Sequence, residues 1–186
     1  MKTVTLKSSI LALTAFLFML PVMSQKGIED GSKYGQGQDS INCLMNLSLY
    51  REFFKHNNYK DAINPWRKVF SECPASSQNM YVDGVKMYKS LISKENDDQR
   101  VEELIDTLML IYDRRLEYFN DEANVLGRKA IDLLRYRRKD IDAIEEAYGY
   151  LGRSVDLDQN GTRDAVIITF VTSSITLNQA GVIEQN

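Results

Sequence analysis

Few side chains in this sequence could carry out catalysis or bind a metal. The chain contains one histidine, His56, and two cysteines, Cys43 and Cys73. One histidine is too few for a histidine-rich metal site, and no acid or nucleophile stands at a recognisable spacing from His56. The sequence has no phosphate-binding loop, no nucleophile elbow and no zinc-ligand spacing. We therefore expect no enzyme activity, no cofactor and no metal site.

The stretch DLDQNG at residues 156–161 resembles the start of a calcium-binding loop, because oxygen-bearing side chains alternate before a glycine. Asp164 stands at the ninth position of such a loop, but Ile167 occupies the twelfth, which requires a bidentate glutamate. We therefore interpret the stretch as an acidic turn between two helices, and we expect folding to be independent of calcium.

One basic run, RYRRK at residues 135–139, directly precedes Asp140. Cations at the end of a helix interact favourably with its last carbonyl groups, and Asp140 suits the N-cap of the next helix. This structural role is sufficient to account for the run. A contact patch for an acidic partner is the alternative.

The composition is that of a globular protein with one domain. The chain has 186 residues, of which 44% are hydrophobic and 26% are charged, and its formal net charge is −3. This length is sufficient for a buried core. An acidic chain lacks the basic face that nucleic acids require, so we expect no nucleic-acid partner.

Residues 1–24 have the features of a cleaved signal peptide. Lys2 and Lys7 precede an uncharged apolar run at residues 10–20, and Pro21 and short side chains follow it. The run is about half of the roughly 20 residues that a transmembrane helix needs, so we expect an exported chain with no membrane span after cleavage. Residues 25–40 contain four glycines and few apolar groups, which predicts a flexible lead-in.

After residue 40 the spacing of apolar residues predicts an all-α domain, residues 41–186. The expected helices cover residues 41–55, 61–72, 77–91, 98–119, 122–137, 140–155 and 162–179. The run AVIITFV at residues 165–171 is rich in β-branched residues, and a buried strand is the alternative there. Because apolar positions continue to Leu177, we interpret this run as part of a buried helix.

A 34-residue pattern of aromatic, apolar and small residues covers the first two predicted helices. Its members, in order, are Leu49, Tyr50, Phe53, Tyr59, Ala62, Trp66, Val69 and Pro74. Small residues continue the pattern, since Gly84 follows Ala62 by 22 residues and Gly127 follows Ile105 by the same interval. A small residue at such a position allows two helices to approach closely.

These positions resemble those of the tetratricopeptide repeat family, over roughly residues 41–183. The resemblance implies an α-solenoid of antiparallel helix pairs, with about three and a half degenerate repeats, whose concave face binds another protein or peptide. The chain is also similar to exported tetratricopeptide proteins of Bacteroidetes envelopes. That similarity implies a location in the periplasm or at the outer membrane.

Cys43 and Cys73 lie at the start of the first helix and the end of the second. These two ends are neighbours in an antiparallel hairpin, so the two sulfur atoms could form a disulfide. Closing a loop of about 30 residues would stabilise the fold by roughly 3–4 kcal/mol. Export favours the disulfide, and two buried free thiols are the alternative.

Two functional hypotheses follow from the resemblance. The first is a non-catalytic scaffold of the cell envelope whose groove binds a partner chain. Its candidate contacts are polar and aromatic residues on the first helices of the repeats, namely Asn46, Tyr50, Tyr81 and Tyr88. The second is the recognition module of a larger enzyme or assembly whose working part lies beyond residue 186.

The seventh predicted helix has apolar residues around more of its surface than one neighbouring helix could cover. They are Val166, Ile167, Phe170, Val171, Ile175 and Leu177. A large apolar surface marks an interface or an incomplete core. We therefore expect either self-association through this helix or a native chain that continues and covers it.

Two tripeptides, Asp39-Ser40-Ile41 and Asp106-Thr107-Leu108, resemble the O-glycosylation site of exported Bacteroidetes proteins. The first lies in the predicted lead-in and is the better candidate. The second lies in the middle of a predicted helix.

Overall fold

The structure, a computed structural model, describes residues 32–184, which form seven α-helices joined by short turns. The helices are α1 (Gly37–Lys55), α2 (Tyr59–Glu72), α3 (Gln78–Ile92), α4 (Asp98–Tyr118), α5 (Glu122–Arg137), α6 (Ile141–Asp158) and α7 (Asp164–Gln179). Short 3-10 turns at Pro74–Ser76 and Gln159–Gly161 follow α2 and α6. Residues 32–184 contain no strand, which confirms the predicted all-α class. The predicted signal peptide lies outside the described residues.

The helix bounds follow the apolar spacing closely, with one clear exception. Residues 165–171 lie in α7, so the helical interpretation of that run is confirmed. The prediction was wrong at α1, which begins at Gly37 rather than at Ile41. The four added residues carry no apolar side chain that could have marked them as helical. The candidate glycosylation residue Ser40 therefore lies in a helix and not in a flexible lead-in.

Aspartates cap two of the helices. The Asp140 side chain accepts hydrogen bonds from the backbone N–H groups of Asp142 and Ala143, at 3.0 and 3.4 Å, which confirms the predicted N-cap of α6. Asp97 accepts from the N–H of Arg100 at 2.8 Å and caps α4 in the same way. These bonds satisfy N–H groups that have no partner within the helix, so they fix where each helix begins.

Each helix packs chiefly against the next helix in the sequence. The most extensive contacts join α1 with α2, α3 with α4, and α5 with α6, and α7 packs on α6 and α5. The buried side chains form two groups. The N-terminal cluster comes mainly from α1–α4, with Val125 of α5, and is rich in aromatic residues. The C-terminal cluster comes from α5–α7 and consists of alanine, leucine and valine.

Two glycines lie where neighbouring helices approach closely. A Cβ atom on Gly84 would lie 2.4 Å from Cζ2 of Trp66, and a Cβ atom on Gly127 would lie 2.8 Å from Cγ2 of Val166. Both distances are far below van der Waals contact, so any side chain would push the helices apart. The 22-residue spacing in the sequence predicts a close approach of two helices at both of these positions.

Most other members of the predicted pattern also contribute to the core. Ala62, Trp66 and Pro74 are buried, and Phe53 and Tyr59 pack against the N-terminal cluster. Leu49 does not, because it is 44% exposed. The repeat signature of which it is a member stays a prediction.

A disulfide joins Cys43 in α1 to Cys73 at the end of α2. The bond links the two ends of the hairpin that the antiparallel arrangement brings together, with a Cα–Cα distance of 6.2 Å. Both cysteines are buried in the N-terminal cluster. The described residues contain no free cysteine.

Buried and half-buried charges join α4 to α5. The Lys129 side chain is 5% exposed, and its Nζ donates to Asp113 Oδ1 at 2.5 Å and to the Tyr150 hydroxyl at 3.0 Å. Burial lowers the pKa of Lys129, but these two hydrogen bonds outweigh it and leave the pKa raised. Arg137 binds Glu102 and Asp106 of α4, each at 2.7 Å. Ion pairs thus contribute to the interface between the two clusters, together with apolar contacts of Val125 and Met109.

The first and last helices both carry exposed apolar side chains opposite the core. On α7 they are Ile167, Ile168, Val171 and Ile175, and on α1 they are Ile41, Leu44, Met45 and Leu49. Among residues 32–184, no helix is long and apolar enough to cross a membrane.

Candidate partner-binding groove

The four predicted contact residues are buried in the core, so that prediction was wrong. Asn46, Tyr50, Tyr81 and Tyr88 are each at most 6% exposed. Their polar atoms are used internally, and the Tyr81 hydroxyl, for example, donates to the Pro74 carbonyl at 3.0 Å. A partner that approached the surface could not reach them.

The buried tyrosines act as core residues with a satisfied hydroxyl group. The Tyr50 hydroxyl donates to Asp83 Oδ2 at 3.3 Å, and the Tyr88 hydroxyl accepts from Arg67 Nε at 3.2 Å. Burial raises the pKa of Tyr50 to about 12, because the charged phenolate would lose its solvation. Tyr50 therefore stays neutral at physiological pH, and both tyrosines are part of the N-terminal cluster.

A groove of about 260 Å³ lies on the surface between α3, α4 and α5, and we call it the α3–α5 groove. It is lined by Val82, Val85, Lys89, Tyr112, Arg115, Asn124, Arg128, Ile131, Asp132, Arg135 and Arg163. Arg163, the residue before α7, also lines it. Tyr112 belongs to the N-terminal cluster and Ile131 packs against the C-terminal one, so residues of both halves form the lining. The groove combines apolar side chains with five cations and one carboxylate.

Asp132 is the buried anchor of the groove. Its side chain is 3% exposed, and its carboxylate accepts from the Tyr112 hydroxyl at 2.5 Å and pairs with Lys89 Nζ at 2.6 Å. Arg135 Nε lies 3.5 Å from the same carboxylate. Burial, together with the negative charge of Asp132, raises the pKa of Tyr112. Asp132 thus fixes one side chain from α3 and one from α4 against α5.

A second carboxylate positions Arg115 at the edge of the groove. Arg115 is 6% exposed, and its guanidinium pairs with Asp121 Oδ2 at 2.5 Å. Asn124 Nδ2 and Gln78 Nε2 donate to the same oxygen at 2.9 and 3.2 Å. Within residues 32–184 the Arg115 Nε–H group has no hydrogen-bond partner, although it is buried. An unsatisfied buried N–H costs free energy unless a ligand or water satisfies it.

The predicted basic run is divided between two roles. Arg137 binds the two carboxylates of α4, and this pairing accounts for it structurally. Arg135 lines the α3–α5 groove beside Asp132. Arg137 thus has a structural role, but through α4 and not through the last carbonyl groups of α5, and contact of the run with an acidic partner stays a prediction.

The stretch at residues 156–161 does not form a calcium-binding loop, and His56 lies beside a single exposed carboxylate. Asp156 and Asp158 belong to the last turn of α6, so their oxygens do not surround a loop. His56 follows α1, and its exposed ring lies 3.1 Å from the exposed carboxylate of Glu52. Across residues 32–184 no three His, Cys, Asp or Glu side chains are grouped so that they could hold a metal ion.

Comparison with known proteins adds no family assignment. No protein-family model, no curated protein and no solved structure matches this chain. The functional argument therefore rests on the groove and on the way in which the helices pack.

The sequence interpretation missed the residues that form the groove. Lys89, Arg115, Asp132 and Arg163 come from four separate segments, so no local motif unites them. One signal was available, because Asp132 lies among apolar residues on the core-facing side of α5. A carboxylate at such a position needs cations from neighbouring helices.

Proposed function

We propose that this chain is a non-catalytic scaffold that binds a partner protein in the α3–α5 groove. The observation that carries the proposal is the groove itself, which exposes apolar side chains beside cations at the joint of two clusters. Val82, for example, is 48% exposed there. A concave surface with apolar walls and a few converging polar groups is the usual form of a binding site.

We further propose that the helices form a tetratricopeptide-like solenoid. Packing between consecutive helices and the close approaches at Gly84 and Gly127 support this arrangement. In such an array the structure of each unit depends mainly on its neighbours, so a continuous surface forms along the stack. The disulfide and the leader-like residues 1–24 support export to the periplasm or the outer membrane.

A second candidate function is recognition within a larger assembly, and the exposed face of α7 favours it. Ile168, Val171 and Ile175 are each at least half exposed and lie on one side of the helix. A second copy, or a further structural module, would remove this surface from water. Light scattering of the mature chain tests this candidate. It predicts association that Val171→Glu abolishes, and a monomer that binds no hydrophobic dye would contradict it.

The groove proposal is tested by retention of partners from an envelope extract of the source organism. The immobilised bait is the mature chain, residues 25–186, compared with Val82→Glu and with Leu157→Glu. Leu157 is a matched control, because it is 40% exposed and lies outside the groove. We expect wild type and Leu157→Glu to retain the same polypeptide and Val82→Glu to lose it. Equal retention by all three baits, or none by wild type, would contradict the proposal.

A further inference from the structure

The charges of the α3–α5 groove are unbalanced in a molecule that is acidic as a whole. The chain carries a net charge of −3, yet five of the side chains that line the groove are cations and only Asp132 is an anion. Lys89 and Arg135 already neutralise Asp132. Positive charge therefore remains in the groove and favours an anionic ligand there.

Two of the cations have no carboxylate to neutralise them. Arg128 donates through Nε to the neutral amide oxygen of Asn124 at 2.8 Å, and it forms no ion pair with any carboxylate of residues 32–184. Arg163 likewise has no ion pair within the described part of the chain. Both arginines are exposed, so a ligand can reach their guanidinium groups.

Arg115 lines the groove but is already paired. Its guanidinium binds Asp121, and its side chain is 6% exposed. The exposed Arg128 and Arg163 therefore provide the contacts for an anion. A carboxylate suits them, because a planar guanidinium can form two parallel hydrogen bonds with it.

The apolar part of the lining specifies the rest of the ligand. Val82 and Val85 of α3 and Ile131 of α5 line the same groove as the arginines. A free inorganic anion would leave these side chains without a contact. A peptide that carries an apolar side chain next to an acidic one would cover both parts of the lining.

We propose that the α3–α5 groove recognises an acidic segment of its partner protein. A glutamate or aspartate carboxylate of the segment binds the exposed guanidinium groups of Arg128 and Arg163. An adjacent apolar side chain of the segment packs against Val82, Val85 and Ile131. This inference rests on the proposed function, for which it supplies the chemical class of the partner.

The probe is a fluorescein-labelled hexapeptide that contains two leucines and two adjacent glutamates. A matched peptide has glutamines in place of the glutamates. Both are titrated against the mature chain by fluorescence anisotropy at low salt. The variants are Arg128→Gln and Arg163→Gln, and the control is Arg153→Gln, which removes an exposed arginine outside the groove. All three positions are exposed, so the fold should survive each change.

We expect the glutamate peptide to bind wild type roughly tenfold more tightly than the glutamine peptide, as the loss of a charge-assisted hydrogen bond requires. Arg128→Gln and Arg163→Gln should each weaken binding by roughly the same factor, and Arg153→Gln should not. In a proton–nitrogen NMR spectrum the Nε–H signals of Arg128 and Arg163 should move when the glutamate peptide binds.

Three results would overturn the inference. The first is equal affinity for the two peptides, and the second is an equal loss in Arg153→Gln. The third is displacement of the peptide by equimolar inorganic phosphate, which would identify a site for free oxyanions. If Arg128→Gln and Arg163→Gln both still retain the natural partner that Val82→Glu loses, the scaffold function stands and only the acidic ligand is wrong.

Discussion

Trp66 and Tyr148 each stack on a second aromatic ring, but the structure surrounds the two pairs differently. Trp66 is completely buried, stacks on Phe70 with ring centres 4.8 Å apart, and donates its indole N–H to the Met80 carbonyl at 2.8 Å. Tyr148 stacks on Phe170 of α7, also at 4.8 Å, but both of these rings are partly exposed. Aromatic stacking thus belongs to a closed core in the N-terminal half and to a partly open surface in the C-terminal half.

The two halves also differ in the composition of their cores. The N-terminal cluster combines large aromatic side chains with a disulfide, whereas the C-terminal cluster consists of alanine, leucine and valine. Larger apolar side chains bury more area and contribute more free energy to folding. The comparison therefore indicates a stable N-terminal half and a C-terminal half whose opening costs less. The α3–α5 groove lies where they meet.

The largest expected effect comes from opening the aromatic core. Trp66→Ala removes a fully buried indole and leaves a cavity, so we expect the free energy of unfolding to fall by about 3–5 kcal/mol. Urea denaturation followed by far-UV circular dichroism measures the change. Trp66→Phe is the control, since it keeps most of the volume and loses only part of the stability. A loss below 1 kcal/mol in Trp66→Ala would show that the N-terminal cluster is not the stable half.

The next effect concerns the disulfide. Replacing both Cys43 and Cys73 by alanine frees a loop of about 30 residues in the unfolded chain, which we expect to cost roughly 3–4 kcal/mol. The loss should be concentrated in α1 and α2. Thiol titration of the denatured, unreduced protein should find no free thiol, and two free thiols would reject the bond.

Glycine substitutions compare the close approaches of the two halves. Gly84→Ala and Gly127→Ala each force a Cβ atom against a neighbouring side chain, so we expect each to cost about 1–3 kcal/mol. Gly149→Ala is the matched control, because nothing lies within 4 Å of its Cβ position. That change should stabilise α6 by up to about 1 kcal/mol. Thermal denaturation ranks the three variants. A neutral Gly127→Ala would mean that α5 and α7 are not closely packed.

The smallest effects separate two kinds of ion pair that α5 forms with its neighbouring helices. Asp113→Asn removes the charged partner of the buried Lys129, and we expect a loss of about 1–3 kcal/mol. Glu122→Gln breaks the exposed pair with Arg153 and should change stability by less than about 0.5 kcal/mol. Equal effects of the two changes in urea denaturation would contradict the role given to the buried pair.

The helices could be predicted from the sequence because their signals are local. Apolar spacing and caps such as Asp140 depend on residues within one or two turns. Gly84 and Gly127 each follow a core residue of the preceding helix, Ala62 or Ile105, by 22 residues. The start of α1 was missed because residues 37–40 lack apolar side chains. The close approaches at the two glycines were predictable because this fixed spacing is visible in the sequence itself.

The groove could not be predicted, because its geometry depends on the rotation of whole helices. Helix α1 has apolar residues on two opposite sides, and Leu47 on one side is buried whereas Met45 on the other is exposed. From sequence alone, Tyr50 could face either way. The role of Asp132 could not be predicted for a different reason. Its partners Lys89 and Tyr112 lie on other helices, and only the fold brings them together.

Native-state hydrogen exchange of the oxidised mature chain tests the difference between the two halves most directly. Amides in the centres of α2 and α3 should exchange only through openings that cost nearly the full free energy of unfolding, whereas amides of α6 and α7 should exchange through smaller openings. Reduction of the disulfide should lower the protection of amides in α1 and α2. The difference in opening free energy between the two halves should then become smaller. Equal protection in α3 and α7, or greater protection in α7, would contradict the account.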